Sequence, residues 1–65
     1  MRKRTYYELA YLRGATMKYT QPALRFETRV EWALLMCKRT HVHEVDKTQY
    51  IRGWLDGYAG KEQGQ

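Results

Sequence analysis

Two histidines one residue apart, His41 and His43, stand beside Glu44 and Asp46, and the chain's single cysteine, Cys37, lies four residues before the first of them. Imidazole and carboxylate are donors that zinc accepts, and a thiol next to an imidazole can become a nucleophile. Neither constellation is complete. A zinc site needs further His or Cys ligands at defined spacing, and none is in reach here. The His-Val-His run therefore reads as a polar loop, and no metal is expected. Cys37 falls on the apolar side of a helical pattern, where a buried thiol is inert. The carboxylates are scattered and there is no glycine-rich phosphate loop. No cofactor is expected, and the chain does not read as an enzyme.

The chemistry that remains is basic and aromatic. Arg2, Lys3, Arg4, Arg13, Lys18, Arg25 and Arg29 face only Glu8 and Glu27 in the first 29 residues, so this stretch holds the whole net charge of +5. From Val30 onward the signs balance. Four of the six tyrosines, Tyr6, Tyr7, Tyr11 and Tyr19, share the basic half. One-sided charge on a small domain points to an acidic partner. Arginine makes forked bonds to carboxylate or phosphate, and tyrosine anchors interfaces. The candidate partner-binding residues are Arg2, Lys3, Arg4, Tyr6, Tyr7, Arg13 and Lys18. The competing reading makes 2–4 a solvated tail and the tyrosines core.

Sixty-five residues make one small domain. Such a domain buries only about 60% of the surface its unfolded chain exposes, which leaves no room for a deep substrate cleft. One cysteine cannot form an internal disulfide, which suits a reducing, cytoplasmic compartment. Nine aromatic residues, Trp32 and Trp54 among them, supply bulk to the core instead. No apolar run reaches the roughly 18 residues that span a bilayer, so no membrane association is expected. The basic start resembles the head of a signal peptide, but no long apolar stretch follows it. A monomer is expected.

Three capping patterns mark helix starts: Thr5–Glu8, Thr28–Glu31 and the weaker Asp46–Gln49. The third helix is the clearest, with Tyr50, Ile51, Trp54, Leu55 and Tyr58 on one stripe and Thr48, Arg52 and Asp56 opposite. Gly53 and Gly57 weaken it but permit a neighbour's close approach. The second helix, about Thr28 to Arg39, is apolar nearly all round and reads as the central one. The first runs from Tyr6 to Arg13, where Gly14 would stop it. Between Ala15 and Glu27 apolar and polar residues alternate on either side of Gln21-Pro22, which predicts a β-hairpin. The expected fold is small α+β, three short helices with a hairpin between the first and second. The alternative is an all-α three-helix domain, with a helix starting near Pro22. The domain spans 1–60, with a basic arm over 1–5 and a loose tail over 61–65.

Two functions fit these elements. The second and third helices could imitate a helix-turn-helix on DNA or RNA, but the third carries one Arg and one acid on its polar face and the linker is long for the motif. A protein-binding regulator, docking a basic, tyrosine-bearing arm on an acidic surface, suits the composition better. A subunit of a larger assembly is a third class, for which an exposed Trp32 would be the clue. The run Tyr6-Tyr7-Glu8-Leu9-Ala10-Tyr11-Leu12-Arg13-Gly14-Ala15, continued by Thr20-Gln21-Pro22-Ala23-Leu24-Arg25-Phe26, resembles small phage-encoded proteins. In size, charge and the stretch from Tyr6 to Arg39 it is similar to the RNA polymerase-binding transcription regulators of Xanthomonas phages. The resemblance implies a phage protein that acts in the cytoplasm of its bacterial host. It further implies binding to the N-terminus of the polymerase β′ subunit, inhibition of initiation by σ displacement, and antitermination.

Overall fold

Thr5 starts the first helix: its side-chain oxygen accepts the Glu8 backbone N–H at 3.2 Å, the capping contact that the Thr-x-x-Glu pattern predicts. A computed structural model describes residues 5–61. It contains α1 (Tyr6–Thr20), α2 (Phe26–Arg39), one 3₁₀ turn (Glu44–Asp46) and α3 (Lys47–Ala59). The described residues form an all-helical domain with no strand, so the β-hairpin expected over 15–27 is absent and the all-α alternative holds.

The correction has a local cause. Gly14 does not stop α1; it is buried inside the helix at a point where the α3 backbone comes close. Ala15, Met17 and Lys18 are good helix formers and carry α1 on to Thr20. What ends it is Pro22, whose ring disfavours helical geometry at Gln21, found at φ −137° and ψ 78°. α2 then begins at Phe26 behind Arg25, so Thr28 sits in its first turn and caps nothing. Asp46 does precede α3, but it is already near-helical as the end of the 3₁₀ turn and makes no side-chain cap.

α3, and not α2, is the central helix. It packs against α1 along its length and against α2, while α1 and α2 meet only sparsely. Tyr7 lies beside Gly53 and Tyr11 beside Gly57, so α1 and α3 run in the same sense and α2 carries the chain back between them. A Cβ on Gly57 would fall 2.8 Å from the Tyr11 carbonyl carbon, and one on Gly14 would fall 2.9 Å from the Tyr58 amide nitrogen. Both are inside van der Waals contact. Ala10, Gly14, Gly53 and Gly57 thus form a small-residue seam across which the two backbones touch.

Along another ridge of α3, Tyr50, Trp54 and Tyr58 recur every four residues and are fully buried with Ala10, Ala33, Cys37 and Val42. Each ring removes on the order of 200 Å² from water, worth about 5 kcal/mol before the entropy of ordering it. Two Schellman motifs close the helices. At the end of α3, Gly60 (φ 75°) donates to the Gly57 carbonyl and Lys61 to that of Asp56. At the end of α2 the same left-handed position is filled by His41 (φ 57°), which donates to Lys38, while Val42 donates to Cys37.

Two substitutions test this description. Gly57→Ala should destabilise by about 2 kcal/mol or more through backbone overlap, although alanine gains about 1 kcal/mol at an unconstrained helical site. Thermal unfolding followed by circular dichroism should show a melting temperature lower by about 10 °C; an unchanged value would mean the helices do not touch there. His41→Gly should raise stability by about 1 kcal/mol by relieving a left-handed residue that carries a Cβ. A denaturant midpoint that fails to rise would contradict that cap.

Candidate docking face

α1 buries one side on α3 and leaves the other open. Leu9, Leu12, Thr16 and Tyr19 recur at i, i+3, i+7 and i+10, which places them on one face of a helix. Leu9 is 38% exposed, Leu12 44% and Tyr19 92%. Arg13 borders this stripe and is itself exposed. An apolar row flanked by a cation, on a helix already anchored by its opposite side, can receive an apolar and acidic surface. Sequence reasoning missed Leu9 and Leu12: the expected helix over 6–13 holds both, but the row they begin reaches Thr16 and Tyr19 only when residues 6–20 are one uninterrupted helix.

The residues expected to bind a partner divide into groups. Arg2, Lys3 and Arg4 lie outside the described residues. Tyr6 is half-buried against the core. Tyr7 donates its hydroxyl to Asp56 Oδ2 at 2.6 Å, which explains why Asp56, expected on an outer polar face, is buried. Lys61 Nζ reaches the other carboxylate oxygen at 4.0 Å, so the buried charge is met by a hydroxyl and a cation. Tyr11 donates to the Lys61 carbonyl. Arg13 alone of the described candidates is exposed with no structural bond.

Lys18 serves the fold, together with Arg29. Tyr58 points its hydroxyl into the α1–α2 connection, where it accepts from the Leu24 N–H at 2.8 Å and donates to the Gln21 carbonyl. Lys18 Nζ lies 5.1 Å from the centre of the Tyr58 ring and Arg29 Cζ 4.6 Å from it. The same two side chains donate to the Pro22 and Leu24 carbonyls, at 3.0 and 2.9 Å. Lys18, which reads as partner-binding from the sequence, and Arg29 thus bind the connection to the end of α3.

The other chemical candidates are dispersed. No group of three or more His, Cys, Asp or Glu comes together among the described residues. His41 and His43 are exposed in the α2–α3 connection. Cys37 is a buried free thiol. It borders a surface depression of about 350 Å³ with Leu34, Lys38, Val42 and Lys47. Burial pushes its pKa above the ordinary value; nearby Lys47 opposes the shift and Glu44 adds to it. Trp32 is half-buried against the core, not a free aromatic. No helix among the described residues is long and apolar enough to cross a membrane. No protein family, curated protein or solved structure matches the chain.

Because the Cys37 thiol holds its proton to higher pH when folded, its contribution to stability is complete below the unfolded thiol's pKa. That contribution is lost as pH rises through the raised folded value. Stability should therefore fall on alkalinisation above an ordinary thiol value of 9.0. Cys37→Ala should flatten that limb of the stability–pH curve; denaturant titrations at a series of alkaline pH values would show it, and an identical slope would rule the thiol out.

Proposed function

We propose that this chain is a non-catalytic docking protein that seats the outer face of α1, with the basic residues preceding it, on an acidic and partly apolar protein surface. The observation that carries the reading is the exposed row Leu9, Leu12 and Tyr19 beside Arg13, on the side of α1 that no other helix among the described residues covers. A second observation supports it. Arg2, Lys3 and Arg4 directly precede Thr5 in the sequence. Three cations in so short a stretch complement a partner's carboxylates.

The partner implied by the resemblance is bacterial RNA polymerase, at the N-terminus of its β′ subunit. A small helical domain acts on so large an enzyme by occupying a surface. Covering one that σ also needs would inhibit initiation, and remaining bound during elongation would promote passage through terminators. Nucleic-acid binding is the second reading, favoured by one feature: with Asp56 buried, the exposed positions Thr48, Gln49 and Arg52 of α3 carry no acid.

Purified core RNA polymerase should retain the chain after nuclease treatment. Leu12→Glu and Arg13→Glu should each weaken binding about tenfold or more, or about 1.4 kcal/mol, without altering the helical spectrum. Retention that vanishes with nuclease, or falls steeply with salt and is indifferent to Leu12→Glu, would move the assignment to nucleic acid. Failure to bind purified polymerase would reject the polymerase partner.

A further inference from the structure

The outer face of α2 is a second open surface, and its residues are ordered by charge. Glu27 and Glu31 occupy its N-terminal half, Leu34 and Leu35 its middle, and Lys38 its C-terminal half. Leu34 is 50% exposed and Leu35 40%. Among the described residues Glu27, Glu31 and Lys38 have no ion-pair partner. Glu27 and Glu31 are moreover one turn apart, a like-charge spacing that destabilises a helix unless a cation relieves it.

Beside this row lies a depression of about 290 Å³ lined by Thr28, Glu31, Trp32 and Leu35. These positions are i, i+3, i+4 and i+7 of one helix, the four-residue hole that a side chain of a facing helix fills. The facing helix must bring an aliphatic stem ending in a positive charge to sit beside Glu31. It must also present leucines to Leu34 and Leu35, and carboxylates to Lys38.

We propose that this face receives a second copy of the same chain, with the two α2 helices antiparallel about a twofold axis passing between Leu34 and Leu35. That symmetry places Leu34 against Leu35 of the second copy, and Glu31 against Lys38 of the second copy, each contact occurring twice. The methylene stem of Lys38 enters the hole and its ammonium meets Glu31 and relieves Glu27. The face is self-complementary because its acids and its base are equidistant from the leucines: Glu31 precedes Leu34 by three residues and Lys38 follows Leu35 by three. The outer face of α1 stays open in this arrangement, so the inference stands apart from the partner proposed above.

Sedimentation velocity from micromolar to millimolar concentration should show the full chain passing from one copy to two. Glu31→Lys and Lys38→Glu should each hold it at one copy, since each sets like charges against each other twice. An equimolar mixture of the two variants should restore the dimer as a heterodimer, because every pair is then opposite in charge. Residues 31 and 38 are both exposed and two turns apart, so circular dichroism should show both variants folded. A wild-type chain that stays monomeric to millimolar concentration would overturn the proposal. So would a dimer unaffected by either charge reversal, or variants that do not associate on mixing.

Discussion

The contact on which the rest of the domain depends is the one between the backbones of α1 and α3. Gly14, Gly53 and Gly57 lack the Cβ atoms that would hold the helices apart, and Ala10 continues the seam. At this separation no large side chain fits between the helices. The big rings of α3 must go elsewhere, and Tyr50, Trp54 and Tyr58 make the core with Ala33, Cys37 and Val42 from α2 and its exit. The same approach brings the Tyr7 hydroxyl within 2.6 Å of Asp56, which lets a carboxylate be buried without leaving it unpaired. Three glycines that would weaken isolated helices are thus the reason that these helices pair as they do.

Tyr58 extends that contact to the rest of the chain. Its ring stacks on Trp54 at 5.7 Å between centroids, and its hydroxyl satisfies both a donor and an acceptor in the α1–α2 connection. Lys18 and Arg29 draw to it from opposite sides of that connection in sequence. The positive charge of the N-terminal half is therefore not all available to a partner. Part of it is bound to the carbonyls and ring that hold α2 in place, and what remains on the described surface of α1 is Arg13 beside an apolar row.

Much of the helical content was readable from local chemistry. The Thr5 cap, the end of α2 at Arg39, the extent of α3 and the use of Gly53 and Gly57 for close approach all follow from side-chain types acting within a few residues. The error at Gly14 has the same root. A glycine inside an apolar pattern ends a helix or admits a neighbour, and nothing within four residues tells the two apart. α1 was further obscured because apolar residues surround it: Ala10 and Met17 turn toward the core while Leu9, Leu12 and Tyr19 face out. A helix with two apolar faces has weak periodicity, and its middle then mimics the alternation of a strand.

The sequence by itself determined the single unpaired thiol, the excess of positive charge ahead of Val30 and the helix start set by Thr5. These are properties of composition or of contacts a few residues long. Only the tertiary structure decided which helix is central, that Asp56 is inside, that Tyr7, Lys18 and Arg29 work for the fold, and which apolar rows stay exposed. The physical reason is range. Gly14 meets Trp54 and Tyr58, and Tyr7 meets Gly53 and Asp56, across forty or more residues of chain. Such contacts depend on how closely two backbones can approach, which the pattern along either helix does not encode alone.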